Sequence, residues 1–171
     1  MTTEQRQPER DEAMVSAFVE RFAAQLVEAG MARMPARVFA AVLVSDEGLL
    51  TSAELGERLR VSPAAVSGAV RYLSGINLLS REREPGSRRE RYRVHSGQWY
   101  EALANREQII RRWEETLRQG ISSLGEDSPA GVRMSETLAF FSFVQAELPQ
   151  MMERWREHRD RVYGDGAAPQ D

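Results

Sequence analysis

The chain has 171 residues, with 23 basic and 26 acidic side chains and a net charge of -3. At roughly 150 residues per domain that is one domain, or one with an appendage, which excludes a large multidomain machine. It contains no cysteine, so disulfide frameworks, thiolate metal sites and thiol nucleophiles are excluded and a reducing compartment is expected.

Apolar residues make up 42% and charged residues 29% of the chain, a balance that suits a soluble globular protein with long exposed helical faces. The opening stretch MTTEQRQPERDE is polar and has no apolar core of a secretory signal. The longest unbroken apolar run, Val38 to Val44, falls far short of a membrane span. A cytoplasmic location is expected, with residues 1–10 flexible.

In chain order, Met14, Phe18, Phe22, Leu26 and Ala29 recur at helical spacing, with Val15 and Val19 beside them, and Gly30 supplies the stop. Pro35 suits the first turn of a second helix whose apolar face is Val38, Phe39, Val42 and Leu43, and which ends near Asp46-Glu47-Gly48. Leu49 and Leu50 read as a short apolar link. Thr51 and Glu54 stand three apart as a capping box for a helix carrying Leu55 and Leu59.

Only a few residues later Ser62-Pro63 repeats the start signal, serine as cap and proline at the first helical position. Val66, Val70 and Leu73 share one face of this helix. Ser62, Ala64, Ala65, Ser67, Gly68 and Arg71 fall mainly on others, and Gly75 is expected to end it. Leu78 to Glu84 and Arg89 to His95 then partly alternate around Pro85-Gly86-Ser87, which predicts a β-hairpin with an arginine-rich tip.

From Gln98 the helical period returns through Leu103, Ile110, Trp113, Leu117, Ile121 and Leu124. Gly125 to Gly131 is expected to be a loop. A last helix aligns Met134, Leu138, Phe141, Leu148, Met152 and Trp155, with Phe140, Phe143 and Val144 beside that seam and Gln145 within it. Pro149 should kink or divide it, and residues 164–171 are expected to be disordered. The seams of the two helices carry more apolar surface than one small lobe covers, which predicts a dimer. Glu114-Glu115 and Asp46-Glu47 are expected on the solvated surface, because sequence neighbours cannot face one way on a helix.

Charge is unevenly spread. Arg58 to Arg93 holds nine arginines against Glu82, Glu84 and Glu90, a basic module inside an acidic chain. All 23 basic residues are arginine, a side chain suited to bidentate phosphate and guanine contacts. Capped helix, short turn, second capped helix and hairpin in that order predict a winged helix-turn-helix, mainly α with a small β-hairpin wing. The second helix would enter the DNA major groove with Ser62, Ser67 and Arg71 as its best contacts, and Ala64, Ala65 and Gly68 would permit close approach. Arg88, Arg89 and Arg91 are the phosphate candidates on the wing. Arg81 and Arg83 rank lower, because Glu82 and Glu84 are expected to neutralise part of their strand.

The stretch TSAELGERLRVSPAAVSGAVRYLSGINLLSREREPGSRRERYRV resembles the winged helix of the MarR superfamily of bacterial transcription regulators, and within it the GbsR-like branch. The match is most specific over Thr51 to Val94. The resemblance implies a homodimer, held by an N-terminal helix over 11–30 and a helical region over 98–163, in which each winged helix over 31–97 meets one DNA half-site. It also implies regulation by a small-molecule effector. Many members carry arginine after the serine of the recognition helix where this chain has Gly68, which shifts base reading to Ser67 and Arg71.

Trp99, Tyr100, Trp113, Phe140, Phe141, Phe143 and Trp155 read as core or dimer interface, and Trp99, Trp113, Phe140 and Phe141 are the candidate lining of an effector pocket. His95 and His158 are the only histidines and lack a neighbouring ligand pattern, so neither a metal nor a cofactor is expected. No G-x-S-x-G, Walker loop or H-E-x-x-H is present, and an enzyme is not expected. The competing reading is a winged helix whose basic face binds an acidic protein partner instead of DNA.

Overall fold

The computed structural model describes residues 12–83, 89–95, 97, 99 and 106–164. The chain divides into two compact units, Met1–His95 and Ser96–Asp171. The expected flexible segment 1–10, the hairpin tip 84–88 and most of the expected disordered tail lie outside the described residues.

In the first unit, α1 (Glu12–Glu28) lies on α2 (Arg33–Leu43). Helix α1 buries Val19 and Ala23 and leaves Met14 and Phe18 exposed, so its inner face is rotated from the Met14–Phe18 line that the spacing suggested. Helix α2 buries Pro35, Ala36, Val38, Phe39, Ala40, Ala41 and Val42, since α1, α3 (Ser52–Leu59) and α4 (Pro63–Gly75) all pack on it. Phe39, Leu55, Leu73, Val38, Val42, Val66 and Val70 form the fully buried centre. Truncating Phe39 to alanine there would cost about 3–5 kcal/mol.

Leu49–Thr51 is a strand, β1, and not a bare link. It pairs antiparallel with β3 (Glu90–Arg93), which also pairs with β2 (Ser80–Arg83), giving the order β1-β3-β2. The sheet therefore has one strand more than a hairpin. Sequence alone hid it because three residues show no alternation. Gly48 extends the β1 pairing by accepting from Val94 N at 2.8 Å, and at φ +61 it leaves the Val94 carbonyl only 3.1 Å from where a Cβ would stand.

Three helices stop in the same way. Past α1, Gly30 N donates to Val27 O and Met31 N to Leu26 O; past α3, Arg60 to Glu57 and Val61 to Gly56; past α4, Asn77 to Ser74 and Leu78 to Leu73. These are Schellman motifs, whose first outside residue is left-handed. Gly30, Arg60 and Asn77 have φ of +97, +53 and +56. Helix α4 thus includes Gly75, and Asn77, not Gly75, turns the chain.

The second unit is a helical hairpin of α5 (Arg106–Leu124) and α6 (Pro129–Tyr163). Ser128 caps α6 by accepting from Gly131 N at 2.9 Å, and its hydroxyl donates to Gly125 O at 2.8 Å. The loop is therefore shorter than Gly125 to Gly131. Gly131 lies in the first turn of α6, where an added Cβ would stand 2.0 Å from Gly125 O. Helix α6 runs for 35 residues with Pro149 inside it. Pro149 removes one internal hydrogen bond but does not divide the helix.

Glu114 corrects a further expectation. It is buried, whereas Glu115 is exposed. Positions 110, 114, 117 and 121 share one helical face, and that face meets α6. Trp113, one residue round the helix, is half exposed with its ring 5.4 Å from that of Phe141.

Candidate nucleic-acid interface

The interface begins with two caps. Thr51 Oγ1 accepts from Glu54 N at 3.2 Å, and Glu54 Oε2 accepts from Thr51 N at 2.7 Å, closing the capping box of α3. The Thr51 backbone and hydroxyl bonds hold the Glu54 carboxyl below its ordinary value of 4.5, with Arg58 and Arg91 adding to the effect. Ser62 Oγ accepts from Ala65 N at 3.3 Å, and Pro63 starts α4. The turn between the helices is only Arg60 to Ser62, and it passes through Arg60 in the left-handed region.

Helix α4 divides into two faces. Val66, Ala69, Val70 and Leu73 are buried against the lobe. Ser62, Ala64, Ser67, Gly68 and Arg71 are exposed, and Ala65 is half buried at the boundary. Ala64, Ser67, Gly68 and Arg71 follow helical spacing and form one outward strip. At Gly68 an added Cβ would meet nothing within 4 Å, so the glycine is not required by packing inside this chain. Tyr72 is also exposed on α4. The expected contact set did not include it.

On the wing, the pairing sets which arginines face together. Arg93 lies opposite Ser80, Tyr92 opposite Arg81, Arg91 opposite Glu82 and Glu90 opposite Arg83. Arg93 Nε donates to Glu82 Oε1 at 2.6 Å. Because successive strand residues point to opposite faces, Glu82 faces away from Arg81 and Arg83, which are exposed. Glu82 is therefore engaged by Arg93 and not by its sequence neighbours, while Arg83 has Glu90 directly opposite it on the same face. Glu84 lies outside the described residues.

Arg89 is exposed immediately before β3, while Arg88 lies outside the described residues. Arg91 is half buried, opposite Thr51 on β1, and its charge reaches the Glu54 carboxylate. It therefore also ties the wing to the start of α3. Tyr92 is buried, and burial, followed by the nearby Glu90 charge, raises its phenol above 10.0. Ser80 Oγ and His95 Nε2 lie 2.6 Å apart across the base of the wing.

The candidate effector residues all lie in the second unit. Trp113 and Phe141 pair at 5.4 Å, and Phe140 and Phe141 at 5.7 Å. Trp113 and Phe140 are exposed beside Phe141, so these three rings form an aromatic surface; Trp99 is exposed as well. Tyr100 lies outside the described residues. Among the described residues no group of His, Asp and Glu is placed to hold a metal, and no helix is long and apolar enough to cross a membrane.

Comparison with known proteins follows the same division. A model described as the MarR family matches residues 29–90, and one described as an MmpR5-like MarR family transcriptional regulator matches residues 97–158. No curated protein matches the chain. Among solved structures, the crystal structure of a transcriptional regulator is similar at TM-score 0.76 and 20% identity, over 84% of this chain and 99% of that one. That likeness establishes a shared fold. Sco3205, a MarR family transcriptional regulator from Streptomyces coelicolor solved in complex with DNA, matches at 16% identity and TM-score 0.41, over 99% of this chain and 95% of that one.

Proposed function

We propose that the chain is a winged-helix transcription regulator of the MarR family, whose models match residues 29–90 and 97–158, and that it acts as a homodimer reading an inverted repeat in double-stranded DNA. The observation that carries this reading is the two-faced α4. Its buried side fixes the helix, and its outward strip of Ala64, Ser67, Gly68 and Arg71 is small enough to enter a major groove closely. Ser62 and Ala65 sit at the groove end of that strip. Arg81, Arg83, Arg89 and Arg91, with Arg88 beside them in sequence, supply phosphate contacts that set register without reading bases.

Dimerisation is supported by what the second unit leaves uncovered. Phe140, Phe143, Met151, Trp155 and Val162 are exposed along α6, at spacings that form a stripe. Met14 and Phe18 on α1 are exposed as well. Apolar surface of this extent is covered by a partner in a stable protein. An effector would bind through Trp113, Phe140 and Phe141, with Trp99 as a further candidate, and shift the dimer between DNA-compatible and incompatible states. Membership of the GbsR-like branch rests on the Thr51–Val94 pattern. A regulator of this kind works where bacterial DNA is, in the cytoplasm.

The test is selection of bound sequences from a random DNA pool with purified protein, at low and near-physiological salt. An enriched inverted repeat that survives the higher salt is the expected result. Binding without an enriched motif, lost as salt rises, is non-specific phosphate attraction and replaces this reading with that of an acidic protein partner.

A further inference from the structure

One guanidinium joins three helices of the first unit. Arg37 on α2 donates from Nε to Glu20 Oε1 on α1 at 2.8 Å and from Nη2 to the Leu59 carbonyl at the end of α3 at 3.2 Å. Its side chain is 18% exposed, and that of Glu20 is 47% exposed. Leu59 is the last residue before the turn that aims α4.

That carbonyl has a specific need. The last four carbonyls of a helix have no partner within it. At the end of α3 the Schellman bonds take those of Gly56 and Glu57, and the turn then passes through Arg60 in the left-handed region, a conformation that costs a non-glycine residue energy. The turn is thus held from outside, by a side chain fixed at its other edge to α1. A planar guanidinium can bond a carboxylate and a carbonyl at once in a fixed geometry, which an ammonium cannot.

We propose that Arg37 is a positioning residue for DNA recognition: it locks the helix-turn-helix turn to α1 and so sets the angle at which α4 is presented. The inference rests on the reading of the chain as a dimeric DNA-binding regulator. In that dimer, two α4 helices held at fixed angles accept one half-site separation. With Arg37 replaced, each turn can settle at several angles and the pair accepts several separations.

The experiment compares wild type, Arg37→Met, Arg37→Lys and Glu20→Gln on a series of operators differing only in the distance between half-sites, after the operator has been selected with the wild-type protein. Wild type is expected to prefer one spacing. Arg37→Met and Arg37→Lys are expected to bind it about tenfold more weakly, with a flattened spacing preference and unchanged affinity for random DNA. Glu20→Gln, at an exposed position that leaves the fold intact, is expected to give a smaller change of the same kind. A uniform loss over all spacings and random DNA would mean simple destabilisation and overturns the proposal, as would an unchanged spacing profile in Glu20→Gln together with either Arg37 variant. Failure of the wild type to select any operator would instead remove the DNA-binding reading itself.

Discussion

Ser142 Oγ on α6 donates to Glu114 Oε1 on α5 at 2.8 Å, while Arg118 Nη2 lies 3.2 Å from the other carboxylate oxygen. A carboxylate this deeply buried is tolerable only because both oxygens are met. The two single changes therefore differ in size. Ser142→Ala strips one bond from a buried carboxylate and is expected to cost about 1–3 kcal/mol. Glu114→Met removes the buried polar group itself and leaves Arg118 and Ser142, both exposed to water, so it is expected to cost less than Ser142→Ala. Urea unfolding of both variants checks this, and a large loss in Glu114→Met would show that the carboxylate has a role beyond packing.

Gly68 separates stability from recognition. With open space at its Cβ position and a helical backbone, Gly68→Ala should stabilise α4 by about 0.5–1 kcal/mol. The same methyl group stands on the strip proposed to meet the groove, so operator affinity should fall. A midpoint of thermal unfolding that rises while DNA affinity drops is the expected pair of results.

Arg60 offers a stability gain outside the core. Its φ of +53 is one that a Cβ resists by about 1–2 kcal/mol. Arg60→Gly is expected to recover roughly 1 kcal/mol of that cost, less the added freedom of glycine in the unfolded chain. A shift of the urea midpoint without a change of slope would confirm it.

The wing and the recognition helix should fail differently. Arg81→Ala, Arg83→Ala and Arg89→Ala are each expected to weaken binding to all sequences and to reduce the salt dependence by about one unit of slope. Arg71→Ala should instead relax the selected sequence at one position. Identical sequence profiles for Arg71→Ala and the parent would remove Arg71 as a reader.

Glu54 gives the fold an acid dependence of known sign. Its carboxyl is held below 4.5 in the folded state, so the stabilisation is fully present above that value and is lost as pH falls through the lower folded value. Glu54→Gln should therefore be less stable than wild type at neutral pH, with the gap closing as pH is taken well below 4.5.

Much of the first unit was legible because its signals are local. Thr51 with Glu54, and Ser62 with Pro63, mark helix starts by chemistry confined to a few residues, and both caps are formed. What the sequence hid depends on long-range packing. Leu49–Thr51 becomes a strand only because β3, some forty residues on, pairs with it. Glu114 is buried because it falls on the face that meets α6, against the general preference of glutamate for water. Glu82 turned out to serve Arg93 and not its sequence neighbours, since register, not proximity along the strand, chooses partners. The contacts of Arg37 join residues seventeen and twenty-two positions away, beyond any motif.

The length of α6 has a consequence for assembly. At 1.5 Å per residue the 35 residues of α6 span about 50 Å, and the turns after Pro149 bear the exposed Met151, Trp155, Val162 and Tyr163. The reach of this end is counted in helical turns. Removing seven residues between Gln150 and Tyr163 would shorten the arm by two turns while keeping its stripe in phase, whereas removing five would swing the stripe to the opposite side. The architecture thus makes the C-terminal arm a gauge whose graduations are set by helical periodicity.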